Sequence, residues 1–483
     1  MTVSRVSRCA VLFLAVLSTA PAWSADADQP AVDPAVLARI RDAALSSDWA
    51  WQRLSDLTDK IGPRLSGSPQ AEAAVVQVAT ALQAAGLTVT LQPAKVPHWV
   101  RGEEQAELVD YPGRPAGLTQ RLHLTTLGAS VATPKKGVTA PVLVVHSFDD
   151  LKAHAAEARG KIVLFDKAFD QDLANNGQAM TAYVQGVAYR VKGASAAARV
   201  GAVAALIRSV GGADFRLPHT GVMKYDDDAP KIPTAALSAE DAMLVGRLAA
   251  QGPVSLHLTL TPQTLPDADS HNVLADLPGR EKPDEVVLVS GHLDSWDLAQ
   301  GAIDDGAGVT AAMGAVQLLK SLGLQARRTI RVVAWMNEEN GSGGSKAYFA
   351  ASKEQLAQQV AVIESDSGAG KPLGVIASVT PDSMAKLSAI SEALQPIGAT
   401  ALERRDGEVG ADISPLQDAG VPGFAPMVDT REYFFYHHTA ADTLDKVNPE
   451  YLRRQVATMA VLAYYLAEMP EALPRVPVKE EKK

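Results

Sequence analysis

Three apolar segments in the second half of the chain end in side chains that commonly bind metal ions. The segments at 286–289, 330–335 and 360–363 have the length and apolar character of buried strands. In open α/β sheets, ligands collect beyond the carboxyl ends of the strands, so three such ends predict one shared site. The side chains that follow these segments are His292, Asp294, Glu338, Glu339, Glu364 and Asp366.

Two further groups add candidate ligands of the same chemical kind. Asp304 and Asp305 directly precede a helical pattern, and His437 and His438 follow an aromatic run near the C-terminus. The lone cysteine, Cys9, lies near the N-terminus, so His, Asp and Glu must hold any metal. Such donors suit zinc, with manganese or cobalt as chemical alternatives. The candidates outnumber the four ligands of a structural zinc, which favours two metals sharing one carboxylate.

Glu338 and Glu339 are adjacent at a predicted strand end, so their side chains point in different directions. One of them can bind a metal while the other stays free. A free glutamate beside metal-bound water is the usual general base in hydrolysis. Asp294, two residues after His292, is placed to orient the imidazole ring.

The elements that must position these residues alternate between strand and helix. Strands over 272–277, 286–289, 329–335 and 360–364 are separated by helices over 306–322 and 345–352. This order predicts an α/β fold with a doubly wound, largely parallel sheet flanked by helices. Asn448 and Pro449 open a C-terminal helix.

A different texture runs from 133 to 265, where short apolar strands alternate with polar loops and Ala-rich helices. We interpret this segment as an inserted module that shapes or covers the site, and 266–270 as a linker. The first domain then comprises 25–132 and 266–475. His154 and His219 stand alone in the module and are interpreted as surface or hydrogen-bonded histidines.

Both ends of the chain are interpreted as lying outside the folded domains. Residues 1–24 have the basic start, short apolar run and small-residue cleavage site of a secretory signal peptide, which predicts a secreted or periplasmic protein. The apolar run is shorter than a membrane span. The charged tail 476–483 is predicted to be disordered. The formal net charge of −10 argues against a nucleic-acid partner.

Two alternatives from other functional classes are weaker. Gly306-Ala307-Gly308-Val309-Thr310-Ala311 fits a dinucleotide-binding fingerprint, but such a motif follows its strand directly, and here a ligand-rich loop intervenes. A non-catalytic binding protein on the same scaffold would lose candidate ligands or the base, and this chain keeps them.

The motifs together resemble those of the co-catalytic zinc exopeptidases. The matching segments are H-L-D-S-W at 292–296, D-D-G-A-G at 304–308, M-N-E-E-N-G at 336–341, E-S-D at 364–366 and H-H-T-A-A-D-T at 437–443. Within that family the chain is most similar to the carboxypeptidase Q group. The resemblance covers the mature chain and implies a zinc exopeptidase fold, with a doubly wound mixed sheet flanked by helices. In that fold 133–265 is an inserted protease-associated (PA) domain of β-rich α+β type.

The resemblance also implies a role for each matching residue. His292 and Asp366 would bind one zinc, Glu339 and His438 the other, and Asp304 would bridge the two. His438 rather than His437 is chosen because it forms the family's H-x-x-x-D pattern with Asp442. Glu338 would be the base and Asp305 a helix cap. A tyrosine that polarises the carbonyl would be Tyr436 or Tyr433.

The function implied is that of a secreted metallo-exopeptidase that hydrolyses dipeptides or short peptides with two zinc ions per chain. An aminopeptidase acting on longer peptides is the alternative within enzymes. Peptides are the expected partners, membranes and nucleic acids are not, and a homodimer is the assembly that the resemblance implies.

Overall fold

The structure is a computed structural model that describes residues 1–2, 32–212 and 215–478. The predicted signal peptide therefore lies outside the described residues except for its first two. The described part contains two mixed sheets of eight strands each, flanked by helices. No helix among these residues is long and apolar enough to cross a membrane.

The helices and strands are numbered in chain order. The helices are α1 Pro34–Leu45, α2 Trp49–Lys60, α3 Pro69–Ala84, α4 Phe148–Ala153, α5 Ala155–Ala158, α6 Gln171–Asn175, α7 Ala179–Arg199, α8 Ala239–Ala249, α9 Ala307–Ser321, α10 Gly343–Ser352, α11 Ser388–Leu394, α12 Ser414–Asp418, α13 Tyr433–Tyr436 and α14 Pro449–Glu468. The strands are β1 Thr88–Val100, β2 Glu104–Asp110, β3 Gln120–Leu122, β4 Leu124–Thr126, β5 Val138–Val145, β6 Ile162–Phe165, β7 Ala204–Arg208, β8 Thr234–Leu237, β9 Ser255–Leu260, β10 Gln263–Leu277, β11 Lys282–His292, β12 Arg328–Trp335, β13 Gln359–Glu364, β14 Pro372–Ser378, β15 Ala401–Arg404 and β16 Gly423–Val428.

The first sheet has the order β1-β10-β12-β11-β13-β16-β14-β15 and is covered by helices on both faces. Alternate residues of β11 enter two different cores, because successive side chains of a strand point to opposite faces. Val287 and Val289 pack in the core formed with α1, α2, α3, α9 and α14. Leu288 packs with Tyr348 of α10 and Leu416 of α12. The predicted doubly wound sheet is confirmed, and it is mixed because β10 runs antiparallel to β12 and β14 runs antiparallel to β16.

The second sheet has the order β3-β2-β9-β5-β6-β7-β8-β4 and forms a module inserted between β1 and β10. It begins earlier in the chain than the sequence indicates. Strands β2, β3 and β4 pair within this sheet, so the predicted boundary between residues 132 and 133 is too late. Strand β2 pairs with β9, about 150 residues later, and local composition carries no sign of so distant a partner.

The predicted linker at 266–270 is wrong. These residues continue β10, which pairs with β1 in antiparallel register, with Ala94 opposite Ser270 and Val96 opposite Ala268. Lys95 also forms a salt bridge with Asp269, with 2.7 Å between Nζ and Oδ1. The acidic side chains that suggested a linker are the exposed residues of a paired strand.

The C-terminal helix agrees more closely with the prediction from the sequence. Asn448 accepts hydrogen bonds from the main chain of α14, and Pro449 is its first residue, as predicted. The Ala-rich helices predicted in the inserted module include the long helix α7, Ala179–Arg199. The tail predicted to be disordered begins with Val476, whose N–H donates to the carbonyl of Gly420 at 2.9 Å. Residues 479–483 lie outside the described residues.

Candidate metal centre

The candidate ligands meet at one edge of the first sheet. Strands β11 and β12 run parallel with His292 opposite Trp335, and β13 lies on the other side of β11 with Glu364 opposite Ser290. The segments that follow these strand ends therefore face one another. This is the arrangement predicted from the three apolar segments.

Asp304 lies at the centre of the cluster, and its two carboxylate oxygens face different partners. Oδ1 is 3.1 Å from Nε2 of His292, which is also 3.4 Å from Oδ1 of Asp366. Oδ2 is 3.1 Å from Nε2 of His438, which is also 3.0 Å from Oε2 of Glu339. The donor atoms thus form two groups that share one carboxylate.

Asp304 is positioned by a short turn that precedes α9. The peptide bond between Asp304 and Asp305 is cis. Asp442 accepts hydrogen bonds from the N–H groups of Ile303 and Asp304, at 2.6 and 3.1 Å. Asp305 accepts from His292 N–H at 3.0 Å and from Gly308 N–H at 3.1 Å. Asp305 therefore caps the first turn of α9, the role that the resemblance implies, and also ties that helix to the end of β11.

Asp294 orients His292 by a different route from the one predicted. The ring Nδ1 of His292 is 2.9 Å from the main-chain carbonyl of Asp294, whereas the carboxylate is 3.8 Å away. That carboxylate instead accepts hydrogen bonds from the N–H groups of Asn337, Glu338 and Glu339. Main-chain N–H groups beyond the end of a strand need another hydrogen-bond acceptor when they are buried. The carboxylate of Asp294 is that acceptor for the three N–H groups after β12. Asp294 thus holds the glutamate loop against the histidine.

Glu338 and Glu339 differ in their surroundings, as adjacent residues at a strand end should. Glu339 contacts His438, and burial raises its pKa to about 7. The carboxylate of Glu338 forms no hydrogen bond with any described residue. Burial raises the pKa of Glu338 well above its usual value, and the charges of Asp366 and Glu339 raise it further. Glu338 therefore has the properties of a proton acceptor that is free to react.

The two consecutive histidines both approach Asp304. Nε2 of His437 is 3.5 Å from Oδ2 of Asp304, and its ring stacks on that of His438 with 3.6 Å between the centroids. His438 is the one that also contacts Glu339. Burial lowers the pKa of His437 well below its usual value, and the charge of His438 adds to this effect. The distances favour His438 as the ligand.

Of the two tyrosines left open by the sequence, Tyr433 is the one that faces the cluster. Burial raises the pKa of Tyr433 well above its usual value, and the charges of Asp304 and Asp366 contribute. The Tyr433 ring is 5.0 Å from that of His437. Tyr436 packs against the ammonium group of Lys446 instead. Both tyrosines line a cavity of about 620 Å³ beside the cluster.

The second module contacts this centre directly. The carbonyl of Thr220 lies 3.2 Å from Nδ1 of His438, and the N–H of Thr220 donates to the carbonyl of His438 at 2.9 Å. The side chain of Thr220 is in turn held by Arg101, which forms an ion pair with Asp297. His219, the neighbour of Thr220, is buried, and burial lowers its pKa to about 3.

The sequence did not predict the contacts that several residues make in or beside this site. Asp442 was present in the H-x-x-x-D pattern, which could have indicated a partner for the Asp304 turn. Asp412 is buried near Glu364, and both of its carboxylate oxygens lack a partner among the described residues. The residues next to Thr220 and Arg101 in the sequence do not indicate these contacts, because the contacts depend on the packing of one module on the other.

The donor set fits metal ions. Imidazole nitrogens and carboxylate oxygens are ligands of zinc, and the buried Oε1 atom of Glu339 lacks a hydrogen-bond partner within the described part of the chain. Burial alone would raise the pKa of Asp304, but hydrogen bonds from His292 and His438 hold it well below its usual value. A concentration of buried carboxylates around two histidines is stabilised by bound cations.

Comparison with known proteins gives consistent results. Residues 272–463 match the model of peptidase family M28. Carboxypeptidase Q of Mus musculus is 42% identical over 88% of this chain and 87% of its own length, and the Homo sapiens protein is 41% identical over the same shares. The crystal structure of a peptidase M28 precursor from Shewanella amazonensis has a TM-score of 0.86 and 35% identity, and the match covers 92% of this chain and 99% of that one. An aminopeptidase from Aneurinibacillus is more distant, with a TM-score of 0.63 and 20% identity.

Proposed function

The chain belongs to peptidase family M28 and is a metallo-exopeptidase, and we propose that it hydrolyses dipeptides or short peptides at a centre of two zinc ions. The observation that carries the proposal is the position of Asp304, whose two carboxylate oxygens face two separate pairs of side chains. In each pair the histidine Nε2 atom lies 3.0–3.4 Å from an oxygen of Asp304 and from an oxygen of the other carboxylate. One pair is His292 and Asp366, and the other is Glu339 and His438. Asp304 would belong to both groups.

Zinc bound there would polarise the scissile carbonyl and lower the pKa of the attacking water. Glu338 supplies the proton transfer, because its carboxylate is free of hydrogen bonds to the described residues and is close enough to Asp366 and Glu339 for their charges to raise its pKa. It takes the proton of the attacking water and passes it to the amine that leaves. The hydroxyl of Tyr433 faces the same acidic groups and can donate a hydrogen bond to the carbonyl oxygen.

The substrate class rests on the relatives. The proteins named carboxypeptidase Q share about 40% of their residues with this chain over most of its length. The Bacillus subtilis aminopeptidase YwaD shares 23%. This difference favours dipeptides or short peptides as substrates over an aminopeptidase activity on longer peptides.

Three features of organisation belong to the same proposal. The module of the second sheet is a PA domain, supported by its insertion between β1 and β10. The protein is secreted or periplasmic, supported by the signal-like composition of residues 1–24. A homodimer is the assembly that the relationship to the carboxypeptidase Q group suggests.

Substitution of the base tests the mechanism. Glu338→Gln keeps the shape of the side chain but removes the proton acceptor, so we expect peptide hydrolysis to fall by about 10²- to 10⁴-fold. The zinc content of the variant should match that of the wild type, since Glu338 is not a proposed ligand. Dipeptide hydrolysis and metal analysis of the same preparation measure both quantities.

The matched control is Glu392→Gln, an exposed glutamate on α11. This variant should hydrolyse the same dipeptides at the wild-type rate. Near-normal hydrolysis by Glu338→Gln would contradict the role of the base. A wild-type protein that holds well under one zinc per chain and resists chelators would contradict the metal centre.

A further inference from the structure

The cavity of about 620 Å³ beside the proposed metal centre begins at the chain neighbours of two proposed ligands. Ile303 precedes Asp304 and Ser367 follows Asp366, and both line the cavity together with Tyr433. Its volume lies within the range of about 300–1,000 Å³ that is typical of small-molecule sites. Exposed residues also line it, so the cavity opens to solvent. A peptide bound at the centre would therefore extend one of its ends into this cavity.

The cavity carries an excess of positive charge. Its charged lining residues are Lys371, Arg431, Lys446, Asp429 and Glu432. Arg431 forms a salt bridge with Asp429 and directly precedes Glu432 in the chain. Lys446 forms a salt bridge with Asp445. Lys371 is exposed, and no described residue forms a salt bridge with it. Lys371 is therefore the cation of this cavity that is available to an anionic ligand.

The loop that carries Lys371 holds it at the same edge of the sheet as the proposed ligands. The loop leaves β13 with Asp366, crosses the end of β16 and enters β14, because β16 lies between these two strands. The N–H of Asp429 donates to the carbonyl of Lys371 at 2.9 Å. A Cβ atom on Gly368 would lie only 2.6 Å from the ring of Tyr433, so the loop is packed closely against this tyrosine. Neighbouring strands lie about 4.8 Å apart, so the main chain of Lys371 is on the order of 10 Å from the end of β13.

A second cavity at the centre is too small to hold an amino-acid residue. It is lined by Asp304, Glu339, Asp442, His438 and Trp296, among others, and its volume is about 10 Å³. A space of that size holds about one water molecule. The residue that bears the carboxylate of a bound peptide therefore fits the larger cavity, where Lys371 supplies the opposite charge.

We propose that Lys371 binds the C-terminal carboxylate of the substrate inside the larger cavity. The inference rests on the proposed function, in which the substrate is a dipeptide or short peptide with a free carboxylate. One residue after the scissile bond spans about 3.5 Å. The flexible four-carbon stem of Lys371 lets its ammonium group cover the remaining distance. Lys371 would thus favour substrates that end one or two residues after the bond that is cut.

The test compares a free dipeptide with its C-terminal amide. We expect the wild-type, metal-loaded enzyme to hydrolyse Ala-Ala with a higher kcat/KM than Ala-Ala amide, which lacks the charged carboxylate. Lys371→Met should lower kcat/KM for Ala-Ala by about 10-fold, mainly through KM, and leave the amide almost unchanged. Lys371→Glu should lower the value for Ala-Ala further, because the new carboxylate repels that of the substrate. Lys371→Arg should retain most of the wild-type value, since it keeps the charge.

The matched control is Lys353→Met, which removes an exposed lysine outside the cavity. This substitution should change neither substrate's kcat/KM. Thermal unfolding of the variants provides a second measurement. Because the side chain of Lys371 is exposed, Lys371→Met and Lys371→Glu should melt close to the wild-type temperature.

The outcomes separate this inference from the proposed function. Equal loss on the free dipeptide and on the amide in Lys371→Met would overturn the inference, and so would a larger selective loss in Lys446→Met, which would assign the carboxylate to Lys446. Wild-type enzyme that cleaves the amide as well as the free dipeptide would also overturn it, while the peptidase function would stand. Hydrolysis of neither substrate, nor of longer peptides, by the zinc-loaded wild type would overturn both.

Discussion

The two halves of the proposed metal centre are held in different ways. His292 ends a central strand of the first sheet, its N–H donates to Asp305, and its ring is oriented by the carbonyl of Asp294. His438 lies in a loop after the four-residue helix α13, with a positive φ of 61°. Its ring and its main chain are both bound by Thr220, which belongs to the inserted module.

This difference shows which parts of the centre depend on the packing of the two modules. The half with His292 is fixed by strand pairing and by the core around β11, so it forms with the first sheet. The half with His438 is complete only when the segment at Thr220 is in place. Arg101 holds that segment, because its guanidinium contacts Thr220, Thr125 and Asp297 together. The inserted module therefore contributes contacts to the proposed metal centre.

Removal of the shared carboxylate should weaken metal binding in both halves of the proposed centre at once. Asp304→Ala deletes the oxygens that face His292 and His438, and we expect hydrolysis to fall by roughly 10⁴-fold, as in a catalytic unit that acts as a whole. Metal analysis after gel filtration should find both equivalents reduced. The exposed Asp284→Ala serves as control. An Asp304→Ala protein that retained two equivalents of zinc would refute the sharing of this carboxylate.

Loss of Arg101 should affect one half only. Arg101→Ala frees the Thr220 segment, and loss of a partner that orients a ligand typically weakens metal binding by about 10- to 100-fold. Competition with a chelator should therefore show one zinc with lowered affinity and one unchanged. Arg331→Ala is the matched control, since it breaks an ion pair with Asp276 on the first sheet. Equal weakening of both zinc ions would contradict the division into two halves.

The proposed ligands at the strand ends were largely predictable from the sequence. Apolar segments that end in His292, Glu339 and Asp366 carry a local signal, because strand burial and strand termination are both visible in composition. The cap formed by Asp305 and the start of α14 at Asn448 follow from equally local rules. The parallel pairing of β11, β12 and β13 then brought the ligands together, as the alternation of strands and helices predicts.

The surroundings of His438 depend on contacts between residues far apart in the chain. The contact of Thr220 with His438 spans more than 200 residues, and nothing in the sequence around Thr220 indicates it. The same reason explains the late boundary at residue 133 and the wrong linker at 266–270, where strands β2 and β10 find distant partners. The side chain of Asp294 was assigned to the wrong neighbour, since the end of β12 cannot be placed beside it from spacing alone.

The packing around His438 should also make the stability of the protein sensitive to acid. Burial lowers the pKa of His219 to about 3 in the folded protein, against 6.5 in the unfolded chain. The unfolded state therefore binds more protons between these values, so this contribution to stability is complete above pH 6.5 and declines as the pH falls toward 3. At pH 5 the loss is on the order of 2 kcal/mol.

Denaturant unfolding at pH 7 and pH 5 measures this contribution. In His219→Gln the difference between the two pH values should be smaller than in the wild type by about that amount. The exposed His146→Gln provides the matched comparison. An identical pH dependence in His219→Gln and the wild type would show that His219 does not couple protonation to the packing of the two modules.

The smallest effect should come from the side chain of Thr220, because the contacts with His438 are made by its main chain. Thr220→Val removes the hydroxyl that bonds to Arg101 and to the carbonyl of Thr126, which should cost about 1 kcal/mol of unfolding free energy. Zinc affinity should change several-fold at most, well below the effect of Arg101→Ala. If Thr220→Val weakened one zinc as strongly as Arg101→Ala, the hydroxyl rather than the Arg101 guanidinium would be what holds this segment against His438.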